Sequence, residues 1–347
     1  MCSTQHLARM NMNTMKATKS SLTKKTTVLA ITAVLFVSVF GGNLMTLQAM
    51  ADSGNGTSSN TSSHAAASSA QQTARQTLRQ TLQADATAYK QAVQTADLTY
   101  KQTSQSAQLA HSQAVQDANT AYIQAVQQAR SAYNTAVSGA HGSPTVIDPA
   151  MATRDQAIAT AQTTKINAVV SADVARDKAV DEAWLAHQNS VYGALATRDG
   201  ADGTAQSTFY TAIGNATLAT RAQTIGQAHV TADNSIMQAR QTRITAVETA
   251  DVTKDQAIGS AQTAYVTAEV TAHVALDNAY TTNSKAWNTA LQSYWQSLAP
   301  LTQTQDSAIV TANANHVSSV GSADAARDQA IDQAYATMYG SISAAYS

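Results

Sequence analysis

Small and apolar residues recur every 11 positions along most of this chain. We call a set of positions 11 residues apart a column. One column in the first part of the chain contains Tyr89, Tyr100, His111, Tyr122 and Tyr133. A second array begins at Asp155 and contains 17 such units, with a one-residue insertion before 222 and a restart at 306. Its seventh position is alanine in 15 of the 17 units. Apolar positions with this spacing share one side of a helix and do not fit the two-residue period of a strand.

The pattern predicts an all-α fold of long alanine-rich helices with 11-residue (hendecad) repeats, arranged as a coiled coil or an extended helical-hairpin rod. Eleven residues in three turns gives about 3.67 residues per turn, which favours a straight or weakly right-handed supercoil. We expect the seventh-position alanines, such as Ala172, Ala183, Ala250 and Ala261, to face another helix at close range. Third-position alanines such as Ala157 and Ala257 are expected on the same helix–helix contact surface, which we call the seam.

Interruptions of the pattern predict the organisation of the chain. We expect a signal peptide over 1–51, a Ser/Thr/Asn-rich flexible linker over 52–71, a first hendecad helix over 72–140 and a Gly/Pro turn over 141–150. A second hendecad array follows over 151–347, with breaks near 199–203 and 299–301. Glycine or proline lies at each break, and both residues disfavour the interior of a helix. The predicted helices therefore cover 72–140, 151–198, 204–298 and 301–345.

The N-terminal segment has the three parts of a secretory signal peptide. Five basic residues precede or adjoin an apolar run from Val28 to Phe40, and Ala49 and Ala51 form a small-x-small cleavage site. Cleavage after Ala51 predicts an exported protein that is extracellular, periplasmic or at the cell surface. The alternative is an uncleaved N-terminal anchor, although the run is shorter than the roughly 20 residues of a membrane-spanning helix.

Aspartate opens alternate units of the second array. Steps of 22 residues separate Asp155, Asp177 and Asp199, and the same steps separate Asp233, Asp255 and Asp277. Asp173/Arg176, Asp251/Lys254 and Asp324/Arg327 form i, i+3 ion pairs in the same array. The simpler interpretation is a solvated helix face, on which such exposed pairs contribute little. The alternative is a ladder of charges that sets the register with a neighbouring helix.

Composition and charge narrow the possible functions. Beyond residue 51 the chain carries 16 basic and 22 acidic residues, which disfavours nucleic acid as a partner. The single cysteine is Cys2, within the predicted signal peptide, so the processed chain would have no disulfide or thiolate ligand. Ile, Val, Leu and Phe make up only 43 of the 296 residues from Asp52 onward, which is few for a thick enzyme core.

No motif of a nucleotide-binding loop, a nucleophile elbow or a zinc protease is present in the sequence. We therefore predict no enzyme activity, no catalytic, cofactor-binding or metal-binding residues, no cofactor and no small-molecule substrate. No two histidines lie three or four residues apart, although His187, His229, His273 and His316 recur at steps of 42, 44 and 43 residues. That recurrence could line them up in a folded rod, or could reflect divergence of the repeats.

The tyrosine column has two interpretations. Its rings could pack at the edge of the seam with their hydroxyls in water, or they could form a stacking platform for a glycan or other polymer. Taken together, the sequence predicts an exported, non-enzymatic structural or scaffolding coiled-coil protein of the bacterial envelope or exterior. Its expected partners are its own helices, further copies of itself, or cell-envelope components. The alternatives are a surface- or polymer-binding protein (ice, glycan or membrane) that uses an exposed Ala/Thr/Tyr face, and a stress protectant.

Overall fold

The computed structural model describes residues 61–141, 143–279 and 284–347, and it divides the chain into the units 1–65 and 66–347. The predicted signal peptide and the first part of the predicted linker lie outside the described residues. Four α-helices make up the described part: α1 (Thr61–Ser138), α2 (Pro144–Ala212), α3 (Ala216–Ala279) and α4 (Ser284–Tyr346). The all-α prediction is confirmed.

Several predicted boundaries are corrected by the structure. Residues 61–71 of the predicted linker are helical, and so are residues 144–150 of the predicted turn. Pro144 begins α2 because the first position of a helix needs no backbone N–H donor. The predicted breaks near 199–203 and 299–301 lie inside α2 and α4 respectively. The chain instead turns between Ala212 and Ala216, and α3 ends at Ala279 while α4 begins at Ser284.

The turn between α2 and α3 has its own local chemistry. Gly214 adopts a φ of 77°, a left-handed conformation that glycine accepts without the steric cost of a Cβ atom. The side-chain Oδ1 of Asn215 accepts a hydrogen bond of 3.0 Å from the backbone N–H of Leu218, which caps the start of α3. Gly214 and Asn215 lie in the repeat unit that starts at 210 and is lengthened by the one-residue insertion before 222, although the helix predicted over 204–298 runs through this turn.

Helices that follow one another pack antiparallel. His111 and His187 contact Asp173 and Asp97 across α1 and α2, so residues late in one helix meet residues early in the next. Helix α3 packs against both α2 and α4. At its contact with α2, Gly203 and Gly226 approach so closely that a Cβ atom on either would lie 2.8 Å from the Cα of the other.

Alanine supplies most of the buried apolar side chains. On every helix the buried residues include members of the alanine columns, among them Ala96, Ala118, Ala129, Ala172, Ala228, Ala239, Ala250, Ala312 and Ala334. The third-position residues Ala157 and Ala257 are exposed, so the expectation that they share the seam is wrong. Among the described residues, no large side chain is less than 2% exposed. The helices therefore pack through a thin layer of small side chains.

Candidate functional site

The α2–α3 interface brings the two sets of recurring aspartates together. Because the helices are antiparallel, Asp155 lies beside Asp277, Asp177 beside Asp255, and Asp199 beside Asp233. We call these pairs the distal, middle and turn layers; the turn layer is the one nearest the α2–α3 turn. Twenty-two helical residues separate successive layers by about 33 Å. The interpretation of these aspartates as a solvated face is wrong, and the ladder interpretation describes their position.

Each layer has an arginine directly before its α2 aspartate. Nε of Arg154 donates to Oδ1 of Asp155 at 2.5 Å. A terminal guanidinium nitrogen of Arg176 lies 2.7 Å from Oδ1 of Asp177. The corresponding distance from Arg198 to Asp199 is 2.6 Å. These arginines are only about one-quarter exposed, so water screens the pairs less than it would on an open surface. The arginines partly compensate the carboxylates that the interface buries.

The negative charge of the buried carboxylates is compensated least at the turn layer. Burial raises the pKa of Asp233 to about 7, and the nearby charge of Asp199 adds to the effect while Arg198 opposes it. Burial likewise raises the pKa of Asp202 to about 6, with Arg198 again opposing. Oδ2 of Asp233 is buried without a hydrogen-bond partner. A shared proton is therefore favoured at this layer at mildly acidic pH.

The distal layer contains a histidine in addition to its two aspartates. His273 lies one helical turn before Asp277 and faces Asp155, and its close approach to the two carboxylates raises the pKa of the imidazole to about 10. Burial acts to raise the pKa of Asp155, but contacts with His273 and Arg154 outweigh it and hold that pKa below its ordinary value. Burial raises the pKa of Asp277, and the charge of Asp155 adds to the effect.

Histidines also join helices elsewhere in the molecule. Nε2 of His111, His187 and His316 lies 2.7–2.8 Å from a carboxylate oxygen of Asp173, Asp97 and Asp251 on the neighbouring helix. His229 faces Asp199 at a longer distance of 4.0 Å. The recurrence of His187, His229, His273 and His316 therefore corresponds to recurring positions at helix interfaces. Interhelical His–Asp contacts could not be found from the spacing of histidines alone.

The tyrosine column lies at the α1–α2 interface, and basic or aromatic side chains cover its rings. Arg198, Lys165 and Arg154 stand 4.9–5.2 Å from the ring centres of Tyr89, Tyr122 and Tyr133. The remaining ring, Tyr100, packs edge-on against Trp184 at 5.3 Å. This arrangement agrees with packing at the edge of the seam, because a stacking platform needs open ring faces.

A groove of about 1100 Å³ runs between α3 and α4. Alanines such as Ala228, Ala232 and Ala334 line it, together with Ser, Thr and Gln side chains. Many of the hydroxyls donate to the backbone carbonyl four residues earlier in their own helix, as Thr231 does to Gln227. These hydroxyl protons are engaged within the helices, which weakens the groove as a polar binding surface.

Neither the family models nor the curated proteins nor the solved structures gave a match to this chain. Within the described residues, no helix is both long and apolar enough to cross a membrane. The predictions of no catalytic, cofactor-binding or metal-binding residues stay predictions. One group of side chains, Asp155, His273 and Asp277, has the composition and proximity of a metal-ligand set.

Proposed function

We propose that this chain is an exported, non-enzymatic structural protein of the bacterial envelope or exterior, built as a rod of alanine-rich helices with 11-residue repeats. The observation that carries the proposal is the recurrence of the aspartate layers at one interface, with an arginine beside each. A repeated contact of this kind fixes two long helices along their whole length. That property suits a spacer or scaffold.

The thin alanine interface supports the same function. Small side chains let helices pack closely without building the wide interior in which enzymes place buried reactive groups. The helix α2, with 69 residues, would be about 100 Å long. A helix of this length separates its ends by more than a compact domain of equal mass would. We expect self-association or contact with envelope components at its exposed apolar residues, which include Leu109, Val310 and Val317.

Export is tested by the N-terminus of the processed protein. We expect sequencing of the protein recovered outside the cytoplasm to begin at Asp52-Ser53-Gly54, because small residues at 49 and 51 follow the apolar run at the distance that signal peptidases use. Recovery of the intact segment 1–51 in extracted membranes would show that the segment is an anchor.

The surface-binding alternative is tested separately. We expect the processed protein to stay in the supernatant when it is mixed with ice, cell-wall polymer or liposomes, since the tyrosine rings are covered and many groove hydroxyls are engaged within their helices. Circular dichroism in the same buffer would show whether the chain is helical in dilute solution, which a protectant that is disordered until dried would not be. Specific pelleting with one of the three materials would favour the binding function over the structural one.

A further inference from the structure

Three side chains of the distal layer converge from two helices. Oδ2 of Asp155 on α2 lies 2.8 Å from Nδ1 of His273 on α3, and Oδ2 of Asp277 lies 3.5 Å from the same nitrogen. One ligand atom from each of the three residues lies within 4.8 Å of the others. The four-residue spacing of His273 and Asp277 puts both on one face of α3, directed toward α2.

Oδ2 of Asp277 has a long ion pair with His273 but no hydrogen bond, although the residue is buried. The residue is 3% exposed. Nδ1 of His273 is likewise without a hydrogen bond, although it forms an ion pair of 2.8 Å with Oδ2 of Asp155. A buried carboxylate oxygen and a ring nitrogen, both without hydrogen bonds, therefore face the same small space. Groups buried in this way normally bind another group or a metal.

The surroundings match the outer shell of a metal site. Arg154 binds Oδ1 of Asp155, which fixes that carboxylate and leaves Oδ2 toward His273. The ring of Tyr294 packs edge-on against the imidazole at 5.5 Å and limits its rotation. Hydrogen bonds and packing of this kind orient ligand side chains in metal proteins. Ligands held about 2.0–2.2 Å from one zinc ion lie about 3.0–3.5 Å apart, which the 3.5 Å between Nδ1 of His273 and Oδ2 of Asp277 matches. The 2.8 Å between the same nitrogen and Oδ2 of Asp155 would widen slightly on binding.

We propose that Asp155, His273 and Asp277 bind one divalent transition-metal cation of the Zn²⁺ type, which joins α2 to α3. One imidazole nitrogen and two carboxylate oxygens suit this class of ion, whereas Mg²⁺ and Ca²⁺ prefer sets made entirely of oxygen. A ligand imidazole is neutral, so the cation replaces the proton that the two carboxylates otherwise hold on His273. With that proton released, the two carboxylates and Arg154 leave one net negative charge for the cation to neutralise. The ion would supply a ligand bond to Oδ2 of Asp277, which makes no hydrogen bond.

The turn layer provides an internal comparison. Asp199, His229 and Asp233 repeat the same residue types at the same relative positions, with Arg198 in the place of Arg154. There His229 is 4.0 Å from Asp199, and among the described residues only the distal set brings its ligand atoms within 4.8 Å. The middle layer has Asp251 at the position of the histidine. The distal layer is therefore the one at which we expect tight binding.

The test is calorimetric titration of the processed full chain with Zn²⁺, with Mg²⁺ as the comparison ion. We expect one tight Zn²⁺ equivalent and no comparable Mg²⁺ binding. Asp277→Asn and His273→Gln should each weaken the tight site by about tenfold or more, the loss typical of disturbing a metal site. The matched variants Asp233→Asn and His229→Gln should retain it. Absence of tight Zn²⁺ binding in the parent protein, or equal binding by the parent and Asp277→Asn, would overturn the proposal.

A second measurement separates ligand loss from misfolding. Without metal, Asp277→Asn should melt at or above the temperature of the parent, because it removes a buried charge. With excess Zn²⁺ the melting temperature of the parent should rise, while that of Asp277→Asn should not, since only an ion bound to the folded state stabilises it. A rise of the same size in both proteins would place the bound Zn²⁺ elsewhere and refute the site.

Discussion

A carboxylate that leaves water loses its hydration, and at Asp233 little replaces it. The residue is 8% exposed, and Oδ2 has no hydrogen-bond partner. Arg198 lies close enough to lower the pKa, but burial and the charge of Asp199 prevail and raise it to about 7. The folded state therefore holds a proton at Asp233 that the unfolded chain releases near its ordinary pKa of 3.8. Neutralising this residue is the clearest route to a more stable fold.

Replacing Asp233 with asparagine should stabilise the protein at pH 8 by about 1–3 kcal/mol, because the neutral amide removes a buried negative charge beside Asp199. In the parent, the proton stabilises the fold fully below pH 3.8, and this contribution is lost as the pH rises through about 7. Between these two pH values, the free energy of unfolding of Asp233→Asn should therefore depend less on pH than that of the parent. Urea unfolding at several pH values would measure it, with Asp306→Asn on the exposed face of α4 as the control. Equal slopes in the parent and in Asp233→Asn would contradict the expectation.

At the scale of the helix, glycine has a different role from the one its propensity suggests. The sequence Gly200-Ala201-Asp202-Gly203 predicts a break because glycine weakens a helix by about 1 kcal/mol relative to alanine. In the structure α2 continues through these residues. Gly203 is buried against Gly226, where α2 and α3 are too close for any side chain. Tertiary packing thus accounts for a residue that local propensity would assign to a turn.

Alanine substitutions at two glycines of α2 separate these effects. Gly203→Ala should destabilise the protein by about 1–3 kcal/mol, because the new methyl group overpacks the contact with Gly226. Gly193→Ala lies in the same helix, has no neighbouring atom within 4 Å of the added Cβ, and should stabilise by about 0.5–1 kcal/mol through helix propensity. Thermal melts of the two variants should therefore shift in opposite directions. A stabilising Gly203→Ala would mean that α2 and α3 are farther apart at this point than the Gly203–Gly226 contact requires.

The sequence predicts the features that repeat along each helix, but it misses the features that depend on contact with a second helix. The all-α class and the burial of alanines such as Ala172 and Ala250 follow from periodicity alone. Pro300 lies inside α4, although a proline removes one helical hydrogen bond. Residues on both sides of it contact α3, since Tyr294 packs on His273 and the hydroxyl of Tyr265 interacts with Thr302. The candidate metal site was missed because a His–Asp pair on one helix needs its third ligand from another.

At the scale of the whole helical unit, the repeat raises the question of how one register is chosen. Sliding α3 by 11 residues along α2 would keep many alanine contacts. It would also place Asp155 opposite Val266 and Asp177 opposite Ile244, burying carboxylates against apolar side chains. A slide of 22 residues would again bring aspartate opposite aspartate. It would break the Gly203–Gly226 contact. The short turn between Ala212 and Ala216 opposes a slide of either length.

Engineered cysteines can measure this register directly. A Cβ atom built on Gly259 lies 3.4 Å from Cβ of Val170, close to the roughly 3.5–4.5 Å found in disulfides. With Cys2 replaced by serine, the double variant Val170→Cys/Gly259→Cys should form an intramolecular disulfide rapidly under mild oxidation. The control Ala159→Cys/Gly259→Cys displaces one partner by a single repeat, about 16 Å along the helix, and should not. Comparable oxidation of the two pairs, followed on non-reducing gels, would show that α2 and α3 slide between registers and that the aspartate layers do not fix them.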